Sequence, residues 1–337
     1  MNSDRTYYGG FFWVAAVSFI VPLFVAVSAF RDLQPAYRPE PDPDVSGVDN
    51  KLFDHLLRLY VDNGQVDYEG LSRDYLFSEY LRELASATPE NLQTDEERLA
   101  LLCNAYNAFV INGVITHRIH RNERNVLSYT PEDAAQKIED LQDQLDGAKQ
   151  QTAPDSTIIK ELTNRINSIR QESGFFDLAE HVFAGETVSL NHLEHEVIRP
   201  TFEEPRVHMA LVCAARSCPS IRAEAYVGDR LELQLDDQAR LFANNEDYVR
   251  YSDADGTIYL SPILDWYEED WHSAGGYLEW LSERVTSDEL REKLLAAERA
   301  EIPVVFSKYD WSLNSQAGGT STSGGAAGFG SGSVPNE

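Results

Sequence analysis

R-V-H-M-A-L-V-C-A-A-R-S-C-P, residues 206–219, is the stretch on which the reading of this chain turns. Residues 206–213 alternate as a strand does, and Ala214, Ala215 and Ser217 then form a small-residue turn that presents Cys218 just before Pro219. Outward from this strand the patterns are mostly helical. Leu52, Leu56 and Leu59 mark one helix, closed by the turn pair Asn63-Gly64, and a second runs over 76–85. A third, over 95–120, carries Leu99, Leu102, Cys103, Tyr106, Val110 and Val114 on one stripe. Downstream, Leu231, Leu235, Ala239 and Phe242 mark a helix over 229–243. Short strands are expected at 187–190, 257–260 and 303–306, with a short helix over 191–199. Helices before and between a few non-adjacent strands predict an α+β domain, mainly helical around a small sheet, spanning 48–314. Within it, Ile138, Leu141 and Leu145, then Ile158, Leu162, Ile166 and Ile169, flank the breaker Ala153-Pro154-Asp155. Residues 131–172 therefore read as an inserted helical hairpin, a candidate arm for self-association.

The chain ends carry different signals. After a flank at 1–10, residues 11–30 (FFWVAAVSFIVPLFVAVSAF) are uncharged and, as a helix, span roughly 30 Å, a bilayer's hydrocarbon thickness. Trp13 and Tyr7–Tyr8 sit where interfacial aromatics belong. A cleaved signal peptide is the rival, with Ala26 and Ser28, or Val27 and Ala29, as its small residues. Either reading exports the rest of the chain, so the expectation is a single-pass membrane protein with its globular domain outside the cytoplasm. Residues 31–47, with Pro35, Pro39, Pro41 and Pro43, read as a stiff spacer, and 315–337 as a Gly/Ser-rich tail that cannot fold.

The chain has 28 Lys plus Arg against 56 Asp plus Glu, a net charge of -28. That excludes nucleic acid as a partner, because the phosphate backbone would be repelled. Only 6 of the basic residues are Lys, and a carboxylate-rich, Lys-poor surface suits a high-salt medium. Runs such as Glu268-Glu269-Asp270 read as part of that acidic surface.

Common catalytic signatures are absent: no Gly-rich phosphate loop, G-x-S-x-G elbow, H-E-x-x-H or paired C-x-x-C occurs. Attention falls on the thiols. Cys218 is the candidate nucleophile, with His208 or His195 as base, Glu194 orienting an imidazole and Arg216 favouring the thiolate. On a strand, His208 lies opposite Cys213, which favours Cys218 as its partner. Three other readings stay open: a Cys213–Cys218 disulfide, two reduced core cysteines, and a zinc site with His208 at an atypical C-x4-C spacing. No cofactor is expected and no metal is assigned.

Asn104 and Asn107, at i and i+3 in the long helix, break a local rule, since Asn is a poor helix-interior residue. Buried amides demand partners, so they imply a polar network or a ligand, with Tyr106 between them. Asn191 and Glu194 have capping-box spacing, and Arg199, one turn beyond His195, is suited to hold a carboxylate. Asn104, Tyr106, Asn107 and Arg199 are thus the candidate substrate-binding residues. Y-D-W-S-L-N at 309–314 is expected to dock back onto the domain.

V-D-Y at 66–68, N-A-Y-N-A at 104–108, S-L-N-H-L-E-H at 189–195 with Arg199, the stretch at 206–219, and Y-D-W-S-L-N at 309–314 occur in this order. Together they resemble the domain of unknown function 547 family over roughly 50–314. The resemblance implies a single domain, often behind a signal peptide or membrane segment in bacteria, and no established activity. Its motif positions coincide with Asn104, Tyr106, Asn107, Glu194, His208, Cys218 and Pro219. Leu102-Cys103, where an aromatic–aliphatic pair is expected, and the hairpin at 131–172 depart from the family pattern. Two function classes result: a thiol-dependent hydrolase or transferase, with Asn104 or Asn107 as orienter or oxyanion donor, and a non-catalytic ligand-binding or structural domain holding a disulfide.

Overall fold

The computed structural model describes residues 39–41, 48, 50–121, 125–128, 132–149, 156–172 and 174–316. The segment at 11–30, nearly all of the spacer and most of the tail lie outside the described residues.

The chain folds around one helix, α4, Asp95–Thr116. Its start is fixed by a capping box, in which Thr94 accepts from the Glu97 backbone and Glu97 reaches back to Thr94. Sequence reading expects a single apolar stripe; instead every residue from Leu99 to Ile111 is buried. A helix apolar all round has no solvent face, and α4 is wrapped on all sides. It is long and apolar enough to cross a membrane, but 83% of its apolar window is buried inside the domain, as a core helix is.

Helix α1, Asn50–Tyr60, runs into a two-residue hairpin, β1 Val61–Asp62 and β2 Gln65–Val66. Asn63 and Gly64 both take positive φ, 48° and 75°, as such a tight turn requires. Gly64 also lies against Ser220, whose Cβ would be 2.6 Å from a Cβ at this position. Helices α2 (Tyr68–Leu71) and α3 (Tyr75–Ala85) complete one side of the core. The hairpin forms as expected, α5 Glu132–Lys149 and α6 Ser156–Glu172. Leu141, Leu145 and Ile166 form a small core of their own with Ile138, Ile159 and Leu162, so most of the apolar stripe is used between the two helices.

A second hairpin, β3 His181–Phe183 and β4 Glu186–Val188, leads to a π-helical turn, His192–Ile198, continued by α7, Arg199–Phe202. Then comes the largest departure from the sequence reading. Residues 206–213 are no strand: Pro205–Met209 is a 3-10 turn, a turn and bend follow at 210–211, and 212–213 has no strand partner. Pro205 opens the turn and the Glu204 side chain caps the Arg206 amide at 3.0 Å. The apparent alternation carries no face, because Val207, His208, Met209, Ala210, Leu211 and Val212 are all buried.

Helix α8, Leu231–Ala243, packs beside this segment. The three-stranded sheet comes next: β5 Val249–Ser252 antiparallel to β6 Thr257–Leu260, and β6 parallel to β7 Val304–Phe306. The parallel pair needs a crossover, supplied by α9 Ile263–Trp266, α10 Tyr277–Ser282 and α11 Asp288–Glu298. The α+β class is as expected. Ser315 and Gln316, expected to begin the tail, instead belong to the fold, since Ser315 bridges Val66 and the Gln316 amide donates to its carbonyl.

Candidate functional site

Asn107 braces the segment that carries the site. Its Nδ2 donates to the Ala210 carbonyl at 2.9 Å and its Oδ1 accepts from the Val212 amide at 3.0 Å. A single side chain thus supplies the ladder that residues 210–212 would otherwise find in a sheet. Gln238 on α8 adds a bond to the Met209 carbonyl at 3.0 Å. Asn104 does the same elsewhere, pinning the Tyr226 amide and carbonyl at 2.9 and 2.8 Å. The expectation of a buried polar network holds, but neither asparagine lines the cavity, and both amides are engaged with backbone. As oxyanion donor or substrate ligand, each is already occupied.

Held in this way, the chain delivers Cys213 and Cys218 to one cavity of about 250 Å³. All three cysteines are free, and Cys103 is a core residue on α4. The Cys213 amide donates to Cys218 Sγ at 3.0 Å. Ala214, next in sequence, has φ +58°, a conformation that costs about 1 kcal/mol or more for a residue with a Cβ. The turn aims the Ala215 amide at the Cys213 sulfur, and the Tyr309 hydroxyl lies 3.0 Å from it. Burial raises the Cys213 pKa, but bonds from Cys218, Tyr309 and the Ala215 amide outweigh it and leave it lowered. Cys218 goes the other way: burial, its hydrogen bond to Cys213 and the charge there push it well above the ordinary value. The more acidic thiol is Cys213, not Cys218. Tyr309 is itself pushed upward by burial and the two thiols, so it keeps its proton and is the donor to an ionised Cys213.

His208 lines the same cavity. Its Nε2 lies 2.7 Å from Asp270 Oδ2, and its ring stacks on Tyr267 with centroids 3.9 Å apart. Asp270 also receives Arg199 through both oxygens, at 2.7 and 2.9 Å. Hydrogen bonds from His208 and Arg199 hold its carboxyl well below the usual range. Arg199 therefore does hold a carboxylate, but the protein's own. The acidic run at 268–270, read as surface, contributes a residue of the site.

His195 does not line the cavity and touches this arrangement only at its outer end, through Arg199. Its Nδ1 faces Arg199 Nη1 at 2.8 Å in a separate surface cleft shared with Glu203 and His272. Nor does Glu194 orient it. The π-helical turn, closed by the Arg199 amide on the Glu194 carbonyl, sets the two side chains apart, and Glu194 is buried against α4. Its carboxylate accepts from Tyr106 at 2.8 Å and from Tyr267 at 2.7 Å. The expected capping box is also absent: Asn191 donates to Asp177 at 2.6 Å, and the His192 amide is capped by Ser189. Arg216 is not among the cavity-lining residues. Among the described residues no group of three or more His, Cys, Asp or Glu could hold a metal ion, so the zinc reading finds no support there.

The last wall is the returning C-terminal segment, which docks as expected. The Arg216 and Ser217 amides donate to the Ser312 and Asp310 carbonyls at 2.8 and 3.2 Å, and the Asn314 amide to Ala214 at 3.0 Å. This lays Tyr309 and Trp311 against Trp266 at the cavity. Residues that sequence reasoning missed are Cys213 in its acidic role, Tyr267, Asp270, Trp266 and Tyr309. The Y-D-W cluster was the available signal for the last of these.

The fold and site define an α+β domain with a thiol pair in an aromatic cavity beside a His–Asp–Arg chain. The model of the family described as protein of unknown function, DUF547, matches residues 89–243, and the chain resembles that family over this stretch. The match includes Asn104 through Cys218 and stops short of the 309–314 motif. No curated protein and no solved structure matches the chain.

Proposed function

We propose that this domain is a thiol-dependent acyl hydrolase or transferase in which Cys213, rather than Cys218, is the nucleophile. The observation that carries the reading is the Cys213 sulfur held by Tyr309 and the Ala215 amide in a cavity that His208 also lines. The left-handed Ala214 supports it, since backbone strain persists where a site needs it. In the first step the Cys213 thiolate attacks the carbonyl carbon of an acyl donor, a C–S bond forms, and the leaving group departs with a proton from His208. In the second, water or an acceptor nucleophile gives a proton to His208, attacks the thioester and restores the thiolate. His208 Nε2–H on Asp270 leaves Nδ1 as the atom that carries this proton, and Arg199 keeps Asp270 ionised.

The uncharged span at 11–30 supports an anchored domain outside the cytoplasm, and the N-terminal residue of the mature protein tests that part. For the chemistry, the full chain is treated with an activated aryl ester and digested for mass spectrometry under acid. An acyl thioester on Cys213, lost in Cys213→Ala and retained in Cys218→Ala, is expected. Acylation confined to Cys218 would reject the assignment of the nucleophile. A quantitative Cys213–Cys218 disulfide in the exported protein would reject the class and favour the binding domain.

A further inference from the structure

Glu194 is a carboxylate of unusual standing in this chain. It is 6% exposed, and among the described residues it has no Lys, Arg or His within ion-pair distance. Arg199, the nearest Lys or Arg in sequence, is engaged with Asp270 and lies over the Tyr267 ring, 4.9 Å from its centroid. Each carboxylate oxygen accepts one phenol hydroxyl, Tyr267 on Oε1 and Tyr106 on Oε2. A carboxylate has about four acceptor positions, so roughly half remain. Burial drives both tyrosine pKa values upward, which keeps the two phenols protonated as donors to the Glu194 oxygens.

The cavity onto which Glu194 opens has matching walls. They include the rings of Tyr106, Phe176, Trp266, Tyr267, Tyr309 and Trp311, and no Lys or Arg. Aromatic faces beside one desolvated carboxylate attract cations through the ring quadrupole and direct charge. A volume of about 250 Å³ is below the ~300 Å³ lower end for drug-sized ligands, so it fits one small group. A chain of net charge -28 also draws cations toward its clefts.

We propose that the cavity binds an organic ammonium group, with Glu194 as its counter-charge and the aromatic walls as its cage. This deepens the thiol reading by naming the donor class, an acyl compound carrying a small ammonium, and rests on that reading only for the acyl part. The probe is n-butylammonium chloride titrated into the full chain, followed by Trp fluorescence and calorimetry, with n-butanol as the uncharged isostere. Saturable binding of the ammonium, roughly ten- to thirty-fold tighter than that of the alcohol, is expected. In Glu194→Gln the preference should vanish. A wild-type chain that binds the ammonium yet forms no acyl thioester refutes the catalytic reading alone. Should Glu194→Gln fail to fold, the comparison of the two probes on wild type still decides. Equal affinity for both, or no binding of either, would overturn the proposal.

Discussion

Replacing Tyr309 with Phe removes one oxygen from the cavity wall and leaves the ring that packs on Trp266 and Trp311. What is lost is the hydroxyl 3.0 Å from the Cys213 sulfur. A hydrogen bond to a charged acceptor contributes roughly 1.5–3 kcal/mol net, and one pH unit corresponds to about 1.36 kcal/mol. The thiolate loses that support and the thiol loses much less, so the apparent pKa of Cys213 should rise by roughly 1–2 pH units. Cys218 and the Ala215 amide still donate to the sulfur, so the thiol should not lose all of its acidity. The assay is iodoacetamide alkylation between pH 5 and 10, with each cysteine followed separately by peptide mass. Wild type is expected to react first at Cys213, and Tyr309→Phe to shift only that profile. A profile that stays within about 0.3 pH units of wild type, well short of the expected shift, would refute the donor role. A Cys218 profile lying below that of Cys213 would refute the whole order of acidities.

Asp270 has a folded pKa depressed by His208 and Arg199, so the stability it contributes is present above the unfolded carboxylate value, about 3.9, and is lost as pH falls below it. Thermal melts of Asp270→Asn should be lower than wild type at pH 7, with the gap narrowing only as pH falls below about 4; a constant gap falsifies the pairing. Asn107→Ala strips partners from the buried Ala210 carbonyl and Val212 amide, at about 1–3 kcal/mol each, so urea unfolding should show a loss of roughly 2–5 kcal/mol. A loss below about 1 kcal/mol would mean that water or a shifted backbone replaces the brace. With a net charge of -28, the unfolding midpoint is expected to rise from dilute to molar salt, and an unchanged midpoint removes the high-salt inference.

Helices α1, α3, α8 and the α5–α6 hairpin were legible because each buries an apolar face at its own period, whereas α4, buried all round, stands close to where its long apolar run puts it. The segment at 206–213 was not, for a physical reason. A strand is inferred on the assumption that its backbone finds another strand, whereas here the partners are the side-chain amides of Asn107 and Gln238, about 100 and 30 residues away. The asparagines of α4 stand out in the sequence as anomalies, and their partners are backbone groups of the protein itself. With the strand gone, opposite faces no longer favour Cys218, because His208 lies in a 3-10 turn and a turn and bend at 210–211 separate it from Cys213. Asp270 was hidden by composition: in a chain with 56 acidic residues, one more carboxylate in an acidic run carries no local signal.

Bracing by amides also explains how the thiol loop takes its shape. Inside a sheet, residues 210–215 would be tied on both edges and forced to alternate, and a left-handed residue after Cys213 would break the ladder. With Asn107 bonded only to Ala210 and Val212, the chain is free to reverse at Ala214 and aim the Ala215 amide back at the sulfur. The free edge beyond the reversal is then closed by the C-terminal segment, through the Ala215–Leu313 bridge and the bonds of Arg216 and Ser217 to Ser312 and Asp310. That closure brings Tyr309 onto the Cys213 sulfur. The acidity of the thiol, the strain at Ala214 and the docking of the 309–314 segment are therefore one structural arrangement, set by two asparagine bonds in the middle of α4.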